Sequence, residues 1–166
     1  MIDVVPLRAF NDNYIWTPRA GECVVADPDD PAPVFDSLTR ERLTLTAILA
    51  THPHADHVGG VAELTRDLNV PVFGPRGEPI STVAPPVSSG DRIDLPGVGV
   101  SFAALDIPRH TRAHVTYYGA IVLVCGDTLF ACGCGRLFEG TREPMHASLA
   151  KLAALRHDTL VYCGHE

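Results

Sequence analysis

The sequence predicts a layered α/β fold in which helices cover packed sheets, and three observations predict it. Short apolar runs come first, then a strand–helix unit rich in histidine, then further strand-like runs, a last helix and a closing strand. The helical segments carry apolar residues on one face only, so they lie on a sheet and leave the other face to water. The polar residues able to do chemistry all follow strand-like runs, at 52–57, 110, 127 and 165, so loops at one edge of the sheets can converge on one cleft.

Residues 2–7, 14–17 and 23–26 read as short strands, with Ala20-Gly21 turning between the last two. Asp27-Pro28-Asp29-Asp30-Pro31 leads into a helix striped by Val34, Leu38 and Leu43 beside Arg42. Residues 45–50 form a buried strand. A single helix then runs from Asp56 or His57 to about Leu68 on the face Val58, Val61, Ala62, Leu64 and Leu68. Gly59-Gly60 lowers its helix propensity, and a close backbone approach to the site would compensate. Residues 70–73 are the next strand, and 74–90, rich in Pro, Gly and Ser, read as loop. Strands follow at 93–95 and 98–107, then a hairpin, 115–118 and 120–125, turned at Gly119. Pro144 suits the first turn of the last helix, whose apolar face is Met145, Leu149, Leu152 and Leu155; residues 160–163 close the fold as a strand.

Composition excludes several function classes. The net charge is -7 and no basic block is present, which argues against nucleic acid and anionic membrane surfaces as partners. No apolar run reaches the length of a membrane span, and the first residues lack the basic start and apolar core of a signal peptide. The five cysteines are odd in number and lie mostly in or beside apolar stretches, which predicts reduced, largely buried thiols and a cytoplasmic protein. Cys132-Gly133-Cys134 reads as packing and close backbone approach rather than as a metal or redox pair. The abrupt stop at Cys163-Gly164-His165-Glu166 predicts a catalytic domain over 1–166 that continues into further sequence.

The chemistry concentrates in Thr51-His52-Pro53-His54-Ala55-Asp56-His57. Three imidazoles and a carboxylate packed so closely are the borderline ligand types that Zn²⁺ or Fe²⁺ takes. His110, Asp127 and His165 are candidates to complete the same site. His114, four residues after His110, reads as a packed residue or an outer support of the ligands, and His146 and His157 as residues on the polar side of the last helix.

The His-x-His-x-Asp-His pattern resembles the signature of the metallo-β-lactamase superfamily. Four further stretches are similar to its glyoxalase II branch: Phe10-Asn11-Asp12-Asn13-Tyr14-Ile15-Trp16, Gly126-Asp127-Thr128-Leu129-Phe130, Gly133-Cys134-Gly135-Arg136-Leu137-Phe138-Glu139-Gly140 and Cys163-Gly164-His165-Glu166. The resemblance implies a four-layer αββα sandwich with two divalent metal ions, zinc first and iron or manganese as alternatives. It implies that His52, His54 and His110 bind one metal, that Asp56, His57 and His165 bind the other, and that Asp127 bridges them. It implies hydrolysis of S-D-lactoylglutathione to D-lactate and glutathione by a monomeric enzyme, with a metal-bridging hydroxide as nucleophile and Asp56 and Asp127 at the catalytic centre. Arg136 and Phe138 match positions that contact glutathione; Asp27 and Asn13 match positions that support the ligands. Members of the branch carry a helical substrate-binding domain after the catalytic one, expected here beyond Glu166. Asp29, Arg109 and Ala113 stand where the family usually has glycine, and Pro53 and Ala55 where it often has histidine. The alternatives are a persulfide dioxygenase-like or other hydrolytic member of the superfamily, and a metal-binding domain inactive without further sequence.

Overall fold

The computed structural model describes residues 2–80, 82–108, 110–136 and 143–165. Two sheets pack face to face with helices outside each, the four-layer αββα order. The first sheet has the order β1-β2-β3-β4-β5-β6. Strands β1 (Asp3–Ala9), β2 (Asn13–Ala20) and β3 (Glu22–Ala26) form an antiparallel meander; β4 (Thr44–Leu49), β5 (Val72–Pro75) and β6 (Pro86–Val87) add in parallel. The second sheet has the order β13-β10-β9-β8-β7, from β7 (Arg92–Leu95), β8 (Val100–Asp106), β9 (Val115–Gly119), β10 (Val122–Gly126) and β13 (Leu160–Cys163).

Period-two alternation sorts the side chains between layers. In β3, Val24 and Ala26 face the other sheet, where they pack with Phe102, Ala104, Tyr117 and Val124. Cys23 and Val25 face the helices and pack with Val34, Val61 and Leu64. In β4 the pairing with β3 shifts register so that Thr46 is skipped, which keeps Leu45 and Ile48 on the helix side and Ala47 and Leu49 on the sheet side. A third cluster, Ile107, Leu123, Cys125 and Leu152, joins the second sheet to the last helix.

Helix α1 (Pro31–Glu41) starts where Asp30 accepts the Ala32 N–H at 2.9 Å with Pro31 at the first helical position. It ends at Arg42 in the left-handed conformation. The single helix expected over 56–68 is two: α2 (Ala55–Val58) and α3 (Val61–Leu68). The break lies at Gly59-Gly60, which packs on the 28–31 loop rather than on the site. A methyl on Gly59 would lie 2.5 Å from the Asp29 carbonyl oxygen, and one on Gly60 2.8 Å from the Pro31 nitrogen. Close approach of two backbones wins there over helix propensity.

Three other expectations are corrected. The stretch 74–90 is not all loop, because Pro86 and Val87 pair with Gly74 and Pro75. The β9–β10 hairpin turns at Ala120 and Ile121, which take φ of 49° and 66°; Gly119 ends β9, where its bare Cα packs against the Ser101 backbone. A short ribbon, β11 (Leu129–Phe130) with β12 (Gly133–Cys134), was not expected. Helix α4 (Glu143–Ala153) buries Met145, Ser148 and Leu152, so a serine completes the face read as wholly apolar. Its hydroxyl donates to the Pro108 carbonyl at 3.0 Å. Among the described residues no helix is long and apolar enough to cross a membrane.

Candidate metal centre

The loops after β4, β10 and β13, with the loop before β9, carry polar residues into one cleft. The β4 loop is fixed by Asp27, at the end of β3. The Asp27 carboxylate accepts the Thr51 N–H at 2.7 Å and the Thr51 hydroxyl at 2.7 Å. It also lies 3.1 Å from His57 Nδ1. Thr51 in turn lies 3.0 Å from His52 Nδ1. Thus one buried carboxylate sets the loop and faces one ring of it, leaving His57 Nε2 and His52 Nε2 to point into the cleft. Asn13 closes the other side by donating to the Asp56 carbonyl at 2.8 Å.

Two groups of donors result. In the first, His54 Nδ1 lies 3.1 Å from His52 Nε2 and 3.1 Å from His110 Nε2. In the second, His57 Nε2 and His165 Nε2 are 3.2 Å apart, and Asp56 Oδ2 lies 3.9 and 3.5 Å from them. Asp127 stands between: Oδ2 is 3.5 Å from His110 Nε2 and 3.4 Å from His165 Nε2, and Oδ1 is 3.2 Å from His57 Nε2. The two triads, His52-His54-His110 and Asp56-His57-His165, each present ligand atoms within 4.8 Å of one another. Asp27, His52 and His57 make a third such group, but the Asp27 oxygens are already engaged by Thr51.

This donor set fits divalent cations. Ligands about 2.0–2.1 Å from a tetrahedral ion are about 3.3 Å apart, and the imidazole pairs match that edge. One His54 nitrogen facing two others cannot satisfy both by hydrogen bonds. The Asp127 Oδ1 atom is buried without a hydrogen-bond partner. Protonation also suits His52, His110 and Asp127 as ligands. Burial, then the neighbouring rings, holds the His52 pKa well below 6.5; burial lowers His110 as well, so both rings are neutral and can donate. Burial would raise the Asp127 pKa, but His57, His165 and His110 outweigh it and keep the carboxylate ionised. Burial would lower His57, yet Asp127 and Asp27 against its two nitrogens raise it to about 10. A cation at His57 Nε2 would take the place of a proton there.

Glu78 and the Arg136 carbonyl were not foreseen beside the donors, whereas the sequence reads His114 as packed or as an outer support of the ligands. His114 is fully buried and stacks on His52, ring centroids 4.7 Å apart, with neither ring nitrogen hydrogen-bonded. Burial pushes its pKa down to about 3, so it is a neutral plate behind the ligand ring. Glu78 accepts the Ala113 N–H at 2.7 Å and so ties down the loop that carries His110. A carboxylate 35 residues away in sequence gives no local signal of that contact. The Arg136 side chain is exposed; its carbonyl oxygen lies 3.2 Å from His110 Nδ1. Phe138 and Arg109 lie outside the described residues. Two hollows flank the donors. One, of about 330 Å³, is lined by Pro53, His54, Glu78, His110, Thr111 and Arg112. The other, of about 640 Å³, includes Arg8, Tyr14, Trp16, Phe130 and Val161.

Comparison with known proteins places this geometry. A model of the metallo-β-lactamase superfamily matches residues 24–165. A hydroxyacylglutathione hydrolase of Nitrosomonas eutropha is 49% identical over 167 residues, covering 100% of this chain and 66% of the relative. The chain therefore spans about two thirds of that relative's length. Among solved structures, the BLEG-1 B3 metallo-β-lactamase superposes with a TM-score of 0.85 at 27% identity, over 100% of this chain and 92% of that one. A protein named TTHA1623, solved in a di-iron-bound form, superposes with a TM-score of 0.80 at 27% identity, over 98% and 92%.

Proposed function

The chain belongs to the metallo-β-lactamase superfamily, and from that premise we propose that it hydrolyses glutathione thioesters, S-D-lactoylglutathione to D-lactate and glutathione. The observation that carries the reading is the Asp127 carboxylate, which faces His110 on one side and His57 and His165 on the other. In our assignment His52, His54 and His110 hold one divalent cation, Asp56, His57 and His165 a second, and Asp127 spans both. Bound there, the pair would lower the pKa of water toward neutrality and offset the negative charge that develops on the thioester carbonyl.

The protein's own groups do the rest. Asp27 holds His57 in the orientation that exposes Nε2. Asn13 fixes the backbone beneath Asp56. The leaving thiolate has a pKa of about 8–9 and departs without a general acid, which agrees with a cleft whose titratable groups we assign as ligands. Arg136 is exposed on the rim, where its guanidinium can meet a glutathione carboxylate, and we assign Phe138 to the same contact. Zinc is the preferred ion for His and Asp donors at these spacings, with iron or manganese as alternatives. Free and buried Cys23 and Cys125 suit a reducing compartment, and we place a monomeric enzyme in the cytoplasm.

The test is metal content measured beside turnover of S-D-lactoylglutathione. Two ions per chain with hydrolysis supports the reading. A single iron with oxygen-dependent persulfide consumption would replace it with a dioxygenase. Two ions without turnover, in this chain and in one extended to the length of its relatives, would leave a metal-binding domain.

A further inference from the structure

Two cysteines stand apart from all of this. Cys23 and Cys125 are buried, whereas Cys132 and Cys134 are exposed. The packing role read for Cys132-Gly133-Cys134 is therefore not what the fold gives them. They flank Gly133 on the β11–β12 ribbon, where Leu129 pairs with Cys134 and Phe130 with Gly133. A methyl on Gly133 would meet nothing within 4 Å, so the ribbon is open there. A glycine between two thiols also lets the backbone bend as a small disulfide ring requires.

The residues that follow grip the metal centre. Gly135 donates its N–H to the Thr128 carbonyl at 3.2 Å and closes the base of the ribbon. Its bare Cα packs against the Asp127 carbonyl oxygen, and an added methyl would lie 2.9 Å from His110 Nδ1. The next carbonyl, of Arg136, lies 3.2 Å from the same nitrogen. Cys134 is thus two residues from the carbonyl that faces His110.

We propose that Cys132 and Cys134 are a redox modification site, oxidised to an intramolecular disulfide by a small disulfide such as glutathione disulfide, and that closing the ring loosens His110. One cysteine thiolate attacks a sulfur of glutathione disulfide, forms a mixed disulfide and expels one glutathione thiolate. The second cysteine thiolate attacks the protein sulfur of that mixed disulfide, forms the Cys132–Cys134 bond and expels the other glutathione. Two electrons pass from the cysteines to the small disulfide, and the two thiol protons leave with the glutathiones or with water. The effect on turnover rests on the thioesterase reading; the exchange itself does not.

The metal-loaded protein is equilibrated with glutathione disulfide and followed by peptide mass, by free-thiol titration and by metal retention against a chelator, with turnover as a fourth readout. The expected product has lost two hydrogens across 132–134, holds metal about tenfold less tightly, as when an outer partner of a ligand histidine is lost, and recovers with a dithiol. Cys132→Ser should stop at a glutathione adduct on Cys134 and form no ring. Ring formation with metal loss, in a protein whose reduced and metal-loaded form shows no thioesterase activity even when extended to the length of its relatives, would sustain this proposal and remove the thioesterase reading instead. Cysteines 132 and 134 that stay reduced, or carry two separate adducts, would overturn it. So would a ring that leaves metal retention unchanged.

Discussion

At the scale of single residues, two carboxylates at this site have opposite consequences. Asp127 is the group assigned to both cations, and its partners keep it ionised. Asp127→Ala is expected to lower metal content below two per chain and to reduce turnover at least about a hundredfold. Metal analysis and steady-state rates check it together, and two ions with parental turnover would end the bridging assignment. Asp29 acts on stability. It is buried, its Oδ2 lacks a hydrogen-bond partner, and burial raises its pKa from 3.8 to about 6 although Oδ1 accepts the Asp30 N–H. A carboxyl whose folded pKa exceeds its unfolded one favours the folded state only while protonated. Its contribution is complete below about pH 3.8 and is lost as pH rises through about 6. Asp29→Asn, which keeps the oxygen that accepts from Asp30, should raise stability at pH 7 by up to about 3 kcal/mol. It should also flatten the melting temperature between those two pH values. Parallel melting profiles for parent and variant would show that the carboxyl is not strained by burial.

At the scale of elements, the break between α2 and α3 is held by the close approach of Gly59 and Gly60 to the 28–31 backbone. Helix propensity alone favours alanine over glycine by about 1 kcal/mol, so Gly59→Ala should stabilise a continuous helix. The Asp29 carbonyl, 2.5 Å from the position of that methyl, predicts the reverse. Forcing the 28–31 loop away should cost about 1–3 kcal/mol, visible as a lower urea midpoint with an unchanged slope. An equal or higher midpoint would mean that the loop yields without strain and that packing does not hold the break. The strand β4 shows the same precedence of packing. Its register shift at Thr46 was not visible as a pattern in 45–50, because every position there is apolar or small enough to fit either layer.

At the scale of the whole molecule, stability and metal binding are coupled but separable. The three apolar clusters lie between and outside the sheets, away from the cleft. The donors instead gather four loops that a bound cation would tie together. Chelation is therefore expected to leave a folded protein, with far-ultraviolet circular dichroism retained, but to lower its melting temperature. Saturation at a hundred times the dissociation constant is worth about 2.7 kcal/mol to a native state that alone binds the ion. Thermal scans with and without added Zn²⁺ check this, and identical midpoints would place the donor groups outside any stabilising site.

The sequence by itself determined that helices cover packed sheets, most strand positions and the identity of the candidate ligands. Alternating apolar residues and a dense His-Asp loop are local patterns, and a chain can be read locally. Tertiary structure decided the rest. It split one expected helix, moved the hairpin turn from Gly119 to Ala120 and Ile121, and exposed the two cysteines expected to pack. It also placed Glu78 and the Arg136 carbonyl beside the loop and ring of His110. Those contacts join residues far apart in sequence or depend on which backbone a bare Cα meets. Their physical cause is packing between elements, which no local pattern of residues encodes.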